Sequence, residues 1–142
     1  MTIKYVKDLK GWHTRKEAIE KLNFPEDFFF LEGEIWWASL GVNIGQEVDG
    51  KNESYERPVL ILKKWSDGLA WVIPSSSTEK LNEYFYPIVY HGKSRNLLLL
   101  HMKTISSKRL LRLVFRMKEK EFTKIKEKIC SIVFSIKEIP SN

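Results

Sequence analysis

An arginine at the start of one apolar strand and a run of serines at the end of another are the residues best suited to chemistry. Arg57 precedes Val59–Leu62, and the serines are Ser75, Ser76 and Ser77. A guanidinium keeps its charge and offers a fork of N–H donors to phosphate oxygens. Serine hydroxyls at a strand end can bind a phosphate or orient an attacking 2′-OH. Together these groups could form a phosphodiester-cleaving site without a metal.

Each group also has a simpler interpretation. Arg57 could form a surface ion pair with Glu53 or Glu56, and Ser75–Ser77 could be an ordinary Ser-rich turn. A Gly-rich loop before Arg57 and a proline directly after it favour a functional arginine.

Two further groups could assist at such a site. His101 follows an apolar run, and an imidazole that titrates near neutral pH suits proton transfer to a 5′-oxygen. A structural role at a strand end is the simpler interpretation of this histidine. Glu47 lies in the long polar loop 41–56, where it could anchor the loop by accepting backbone N–H groups or contact a base edge. A solvated loop acid is an equal alternative.

A basic surface is predicted from the charge pattern. The formal net charge is +6, which raises the local concentration of polyanions, although solubility explains most surface lysines. The candidate phosphate contacts are Lys63, Lys64, Lys93, Arg95, Lys103, Lys108, Arg109 and Arg112. The candidate stacking platforms are Trp36, Trp37, Tyr55, Trp65 and Trp71, most of which we expect to be core or rim residues.

Composition limits the class of protein. A chain of 142 residues predicts one domain. The single cysteine, Cys130, excludes an intrachain disulfide, fits a reducing cytoplasm, and is expected to be buried in a late helix. The N-terminus lacks the apolar region of a secretory signal, and the longest aliphatic run, 97–100, is too short to span a bilayer. Metal-ligand spacing and nucleotide-binding fingerprints are missing, so we expect no metal and no cofactor.

The elements that must position these residues are mainly strands. Strands are predicted near 34–40, 57–65, 69–74, 84–90, 95–104 and 111–116, followed by an amphipathic helix over 118–136. Thr14 and Glu17 read as a capping box that starts a helix in the first thirty residues. We expect this N-terminal segment to pack on the main domain; a partner-binding surface is the alternative. The predicted fold class is mainly β (α+β), a small curled antiparallel sheet capped by the C-terminal helix.

The order and spacing of these motifs resemble the MazF/PemK family of toxin endoribonucleases. The similarity covers roughly 33–132, and the matching segments are Gly33–Trp37, Gly45–Glu47, Arg57–Leu62, Val72–Ser77 and Lys103–Leu110. The resemblance implies an SH3-like β-barrel with its helix over 33–142, after an N-terminal helical extension over 1–32. It also implies a homodimer that cuts single-stranded RNA without metal, leaving 2′,3′-cyclic phosphate and 5′-OH ends, and a cognate antitoxin that blocks the RNA groove.

The resemblance assigns roles to individual residues. The catalytic arginine of the family falls on Arg57, a hydroxyl that is commonly Thr falls on Ser76, and a polar loop position falls on Gln46. His101 replaces a common Gln, Lys103 a common Arg and Ser106 a common Asp. The resulting catalytic set is Arg57, Ser76 and His101, and the RNA-binding set is Gln46, Glu47, Ser75, Ser77, Lys103 and Arg109. The alternatives are a barrel that binds nucleic acid or protein without cutting, and a toxin directed at gyrase.

Overall fold

The computed structural model describes residues 5–78 and 82–134, and within them the fold is mainly β, as the sequence predicts. The strands are β1 (Glu34–Ser39), β2 (Glu56–Ser66), β3 (Leu69–Ser76), β4 (Phe85–Tyr90), β5 (Lys93–Leu98), β6 (Lys103–Ser106) and β7 (Leu110–Arg116). The helices are α1 (Leu9–Glu20) and α2 (Glu119–Phe134), with 3₁₀ turns at Leu99–His101 and Ser107–Arg109. No helix in these described ranges is long and apolar enough to cross a membrane.

The strands form one antiparallel sheet in the order β4-β5-β3-β2-β1-β7, with β6 also paired to β3. β6 and β7 lie at opposite edges of the three strands β3, β2 and β1. Even so, Ile105 on β6 and Leu110 on β7 pack into one cluster with Val59 and Val72. The sheet therefore curls, so that the strands at its two edges contribute to the same core. In the described residues its end strands are not hydrogen-bonded to each other, so the SH3-like sheet is open.

A second core lies between the outer face of the sheet and α2. Ile35, Leu60 and Ile73 alternate with the residues of the first core along β1, β2 and β3, and they meet Phe122 and Ile125 of the helix. Both faces of these three strands are thus buried, which fixes their register, because a slip of one residue would exchange the two cores.

The prediction that Thr14 caps the first helix is wrong. The helix begins at Leu9, and Asp8 is its N-cap, where the Oδ1 atom accepts a hydrogen bond from the Gly11 amide at 3.0 Å. Thr14 lies inside the helix, and its hydroxyl donates to the Lys10 carbonyl. A capping box needs free amides at a helix start, and the amides that follow Thr14 lie inside a helix that already began at Leu9.

The predicted strand over 95–104 is also wrong as a continuous element. β5 and β6 both pair with the same edge of β3, so the chain must step along that edge between them. The 3₁₀ turn Leu99–His101 makes this step. His101 consequently lies in a turn rather than at the end of a strand.

The C-terminal helix begins close to its predicted start, and its predicted residues beyond 134 lie outside the described part of the chain. Ile125 is fully buried, Ile129 packs at the margin of the core, and Val133 is exposed. The expectation of a buried Cys130 is wrong, since the thiol is exposed. At 100° per residue, Cys130 lies about 140° round the helix from Ile125 and therefore faces away from the sheet.

Candidate active site

The structure brings Arg57 to the end of β3. Val59 pairs with Pro74 in the antiparallel register, so two residues further along, Arg57 and Ser76 lie opposite each other on the same face of the sheet. The Arg57 Nη1 atom donates a hydrogen bond to the Ser75 carbonyl at 3.1 Å. The guanidinium and the serine run, which are 18 residues apart in the chain, therefore meet in the fold.

The guanidinium of Arg57 is held by backbone carbonyls. Besides the contact with Ser75, its Nε atom donates to the Asp49 carbonyl at 2.8 Å. These two hydrogen bonds use two of its five N–H groups, and no described residue forms an ion pair with it. Burial lowers the pKa of Arg57, and the negative charge of Asp49 partly offsets this shift. The group remains a half-buried cation with N–H donors left for a ligand.

Glu56 is not available to Arg57, which removes one simpler interpretation of the arginine. Both carboxylate oxygens of Glu56 accept hydrogen bonds from Arg112, at 2.8 and 3.0 Å. The Arg112 guanidinium also lies 4.8 Å from the centre of the Trp37 ring. The Arg112 side chain is thus held by Glu56 of β2 and Trp37 of β1.

The three serines have different environments. Ser75 is 1% exposed, and its hydroxyl donates to the Pro58 carbonyl at 3.0 Å, so in this structure the hydroxyl is not open to a substrate. Alternation along β3 puts the Ser75 side chain on the face away from Arg57. The half-buried Ser76 hydroxyl donates to the Thr78 hydroxyl at 2.9 Å and accepts from the Thr78 amide. Ser77 lines a small cleft that Arg57 also lines.

His101 and Lys103 extend the same site. Burial lowers the pKa of His101, and the nearby positive charge of Arg57 lowers it further. The imidazole is therefore mostly neutral at pH 7. Burial also lowers the pKa of Lys103, as does Arg109, whereas Glu47 and Asp49 act in the opposite direction. The charge of Arg57 therefore acts on His101, and the charges of Glu47 and Asp49 act on Lys103.

The loop before β2 is ordered by its own side chains. The Glu47 carboxylate accepts a hydrogen bond from the Ile44 amide at 2.9 Å, so it anchors the loop, which is one of the alternatives for this residue. Its predicted contact with RNA stays a prediction. Asp49 accepts from the Asn43 amide at 2.6 Å, and the Asn43 side chain donates to the Val48 carbonyl. Gln46 is exposed at the tip of the loop. Nothing in the structure ties Gln46 to Arg57, and its role stays a prediction.

Arg109 is held by β1 and α1. Its Nη1 atom donates to the Ser39 carbonyl at 3.1 Å, and its guanidinium lies 5.5 Å from the centre of the Trp12 ring in α1. Burial lowers its pKa. Any contact of Arg109 with a ligand must therefore use the remaining N–H groups of a side chain that already links the sheet to α1.

Arg57 is shared by two clefts. The larger encloses about 850 Å³ between the N-terminal segment and the loop, and its lining includes Tyr5, Asp49 and Tyr55. The smaller encloses about 80 Å³, and its lining includes Trp37. A volume of several hundred Å³ is typical of sites for nucleotide-sized ligands. The half-buried cation thus borders a cleft that could hold part of a polyanion.

Comparison with known proteins decides the family. A sequence profile described as PemK-like, MazF-like toxin of type II toxin–antitoxin system matches residues 31–133. The chain belongs to this family. A search of curated protein sequences finds no match.

Solved structures share the PemK/MazF fold. MazF from Deinococcus radiodurans superposes with a TM-score of 0.63 at 22% identity, covering 76% of this chain and 99% of that one. A mycobacterial endoribonuclease in complex with its cognate antitoxin gives 0.59 at 11% identity, covering 78% and 99%. A MazE–MazF structure from D. radiodurans gives 0.58 at 18% identity, covering 75% and 97%. At these identities the likeness establishes the fold.

The PemK/MazF match begins at residue 31, so α1 and the segment before it lie outside the match. Three residues that build the Arg57 surroundings were not singled out from the sequence: Tyr5, Lys7 and Asp49. Tyr5 and Lys7 contact the loop only through the tertiary fold. For Asp49, the dipeptide Asp49-Gly50 is a turn signal that could have indicated a structured loop.

Proposed function

We propose that this chain is a metal-independent endoribonuclease toxin of a type II toxin–antitoxin system, which cleaves single-stranded RNA, including mRNA. The observation that carries the proposal is the environment of Arg57. Its guanidinium is fixed by the carbonyls of Asp49 and Ser75, unpaired with any described carboxylate, and open to a cleft. Such a preorganised cation is what a developing phosphorane requires.

In the proposed reaction, the 2′-oxygen attacks the adjacent phosphorus, and the bond from phosphorus to the 5′-oxygen breaks. The products are a 2′,3′-cyclic phosphate and a 5′-OH end. Arg57 binds the non-bridging phosphate oxygens and stabilises their growing negative charge, with Lys103 adding positive charge nearby. Neutral His101 takes the proton of the 2′-OH, and the same proton is then available for the departing 5′-oxygen. Ser76 orients the phosphate beside Arg57.

The proposal includes the partners of the site. Single-stranded RNA fits a shallow cleft with a cation, and the net charge of +6 favours polyanions. The structural neighbours from D. radiodurans include a MazE–MazF structure, and the mycobacterial one contains a cognate antitoxin. By analogy we propose an antitoxin that covers the Arg57 cleft, assembly of this chain as a homodimer, and action in the cytoplasm, where mRNA is found.

The test is incubation of the purified protein with a defined single-stranded RNA in the presence of a chelator. We expect fragments that carry 2′,3′-cyclic phosphate and 5′-OH ends, mapped by primer extension and end-specific ligation. Tight RNA binding without products would instead indicate a non-catalytic binding module. Topoisomerase poisoning without RNA decay would indicate a gyrase-directed toxin.

The pH dependence of cleavage should report His101. Because its pKa is lowered from the ordinary value of 6.5, the neutral form that accepts a proton is present at pH 7 and is lost only as the pH falls through the lowered pKa. We expect the acidic limb of the rate profile to lie below pH 6.5 and His101→Gln to lower the rate by about 10²-fold. In Arg57→Ala, the NMR-titrated pKa of His101 should rise. If the acidic limb of the pH–rate profile is the same in His101→Gln as in the unsubstituted protein, the His101 imidazole does not transfer the proton.

Ser75 and Ser76 provide a matched pair of variants. Ser75→Ala leaves the buried Pro58 carbonyl without its donor, so we expect a loss of about 1–2 kcal/mol of stability and little change in the rate of the folded protein. Ser76→Ala should lower the cleavage rate about tenfold, the loss of one transition-state hydrogen bond. Urea unfolding and single-turnover cleavage measure the two effects. Equal rates for Ser76→Ala and the unsubstituted protein would remove Ser76 from the mechanism.

A further inference from the structure

The segment before α1 is attached to the loop that holds Arg57. The Tyr5 hydroxyl donates to the Asp49 carboxylate at 3.3 Å, and Asp8 accepts a hydrogen bond from the Tyr55 hydroxyl at 2.8 Å. Tyr5 and Asp8 also line the large cleft beside Arg57. Residues outside the family match therefore form one wall of the proposed site.

Of the residues that connect the segment before α1 to the loop, Lys7 makes the most contacts. Its Nζ atom donates to the Asn43 carbonyl and, at 3.1 Å, to the Gly45 carbonyl. The same atom lies 3.5 Å from Oδ2 of Asp49. The side chains of Lys7 and Asp49 are 28% and 12% exposed, so this ion pair is partly shielded from solvent. One ammonium thus joins residues 43, 45 and 49 of the loop.

Asp49 connects this ion pair to the guanidinium. Its side chain contacts Lys7 and the Asn43 amide, and its own carbonyl accepts the Arg57 Nε–H. A shift of Asp49 would therefore move one of the two carbonyls that orient Arg57. A misplacement of about 1 Å can lower a reaction rate by about 10²-fold. A contact that fixes Asp49 can therefore affect the cleavage rate through the position of Arg57.

We propose that Lys7 is a positioning residue, which holds the loop 43–49 so that the Asp49 carbonyl orients Arg57 for cleavage. The proposal rests on the endoribonuclease function. It assigns to the N-terminal extension the task of completing a site whose catalytic residues all lie in the PemK/MazF domain. Lys7 itself makes no contact with the reacting phosphate in this arrangement.

The first experiment measures cleavage by the full-length chain. We expect Lys7→Ala to lower kcat by up to about 10²-fold while KM changes little, because Arg57 acts on the transition state. Lys7→Arg keeps a cation and several donors and should recover most of the rate. Lys10→Ala removes the same charge from the same extension, at an exposed position, and should behave as the unsubstituted protein. In an Arg57→Ala background, Lys7→Ala should cause no further loss.

The second experiment is hydrogen exchange, which does not depend on activity. Amides of the loop, including those of Asn43 and Ile44, should exchange at least about tenfold faster in Lys7→Ala, whereas β2 and β3 should be unchanged. Unchanged loop exchange, or a kcat in Lys7→Ala that is unchanged or higher, would overturn the positioning role. If Arg57→Ala cuts RNA as well as the unsubstituted protein, the proposed function fails, and the exchange result still decides whether Lys7 holds the loop.

Discussion

Replacing Arg57 with alanine is expected to reduce RNA cleavage by at least about 10³-fold, because it removes the charge that stabilises the phosphorane. Arg57→Lys should recover only a small part of the rate. A lysine keeps the charge but lacks the planar fork, and it cannot donate at the same time to the two carbonyls and to a phosphate. Single-turnover cleavage of a short RNA at saturating enzyme measures the chemical step directly.

Arg116 provides the matched control for this experiment. It is an exposed arginine at the far end of β7, where it borders a different surface cleft with Trp65. Arg116→Ala removes the same charge, so it should retain the rate if the effect at Arg57 is local. Near-ultraviolet circular dichroism should show that both variants are folded. A folded Arg57→Ala protein with an unchanged rate would refute the mechanism.

Gly50→Ala is expected to lower the stability of the protein strongly. A Cβ atom at Gly50 would lie 1.7 Å from the Tyr55 carbonyl oxygen, which is backbone and cannot rotate away. The adjacent residues Lys51 and Glu56 exchange two backbone hydrogen bonds, at 2.8 and 2.7 Å, so the Gly50 and Tyr55 segments cannot separate without losing these bonds. We expect a loss of about 3 kcal/mol, measured by urea unfolding, which is large for a protein of marginal stability.

Cleavage should fall together with stability in Gly50→Ala. Gly50 directly follows Asp49, whose carbonyl orients Arg57, so a displaced loop also misplaces the guanidinium. Gly68→Ala is the control, because its added methyl group would lie 4.0 Å from the nearest side-chain atom, Ser66 Oγ. It should change neither the urea midpoint nor the rate. A Gly50→Ala protein as stable as the unsubstituted one would show that the backbones of Gly50 and Tyr55 do not pack against each other.

Local sequence patterns predicted most of the strands and the central residue of the site. Short-range patterns predicted β2 and β3 correctly. These patterns are the apolar residues of the two strands, the turn residues between them and the Arg-Pro start of β2. The contact of Arg57 with the serine run follows from pairing these two strands, which a hairpin signal at Asp67-Gly68 already implies.

Long-range contacts account for what the sequence did not predict. The ion pair of Lys7 with Asp49 joins residues 42 positions apart (49 minus 7), and no periodicity connects them. The helix start at Asp8 depends partly on Tyr55, which holds the same carboxylate. The sequence could not show that the Ser75 hydroxyl is buried. Three serines in a row have no alternation of apolar and polar residues that would indicate which side chain points into the protein.

The pairing of β3 has a consequence for synthesis of the chain. β3 contacts β2 on one edge, while β5 and β6 share the other edge. During translation the β2–β3 hairpin leaves the ribosome before β5 and β6, and residues 69–72 on its free edge lack hydrogen-bonding partners until the ribosome has released residue 106. A bare strand edge is a template for association with other nascent chains. In the interval between the emergence of β3 and that of β6, this edge is therefore open to such association.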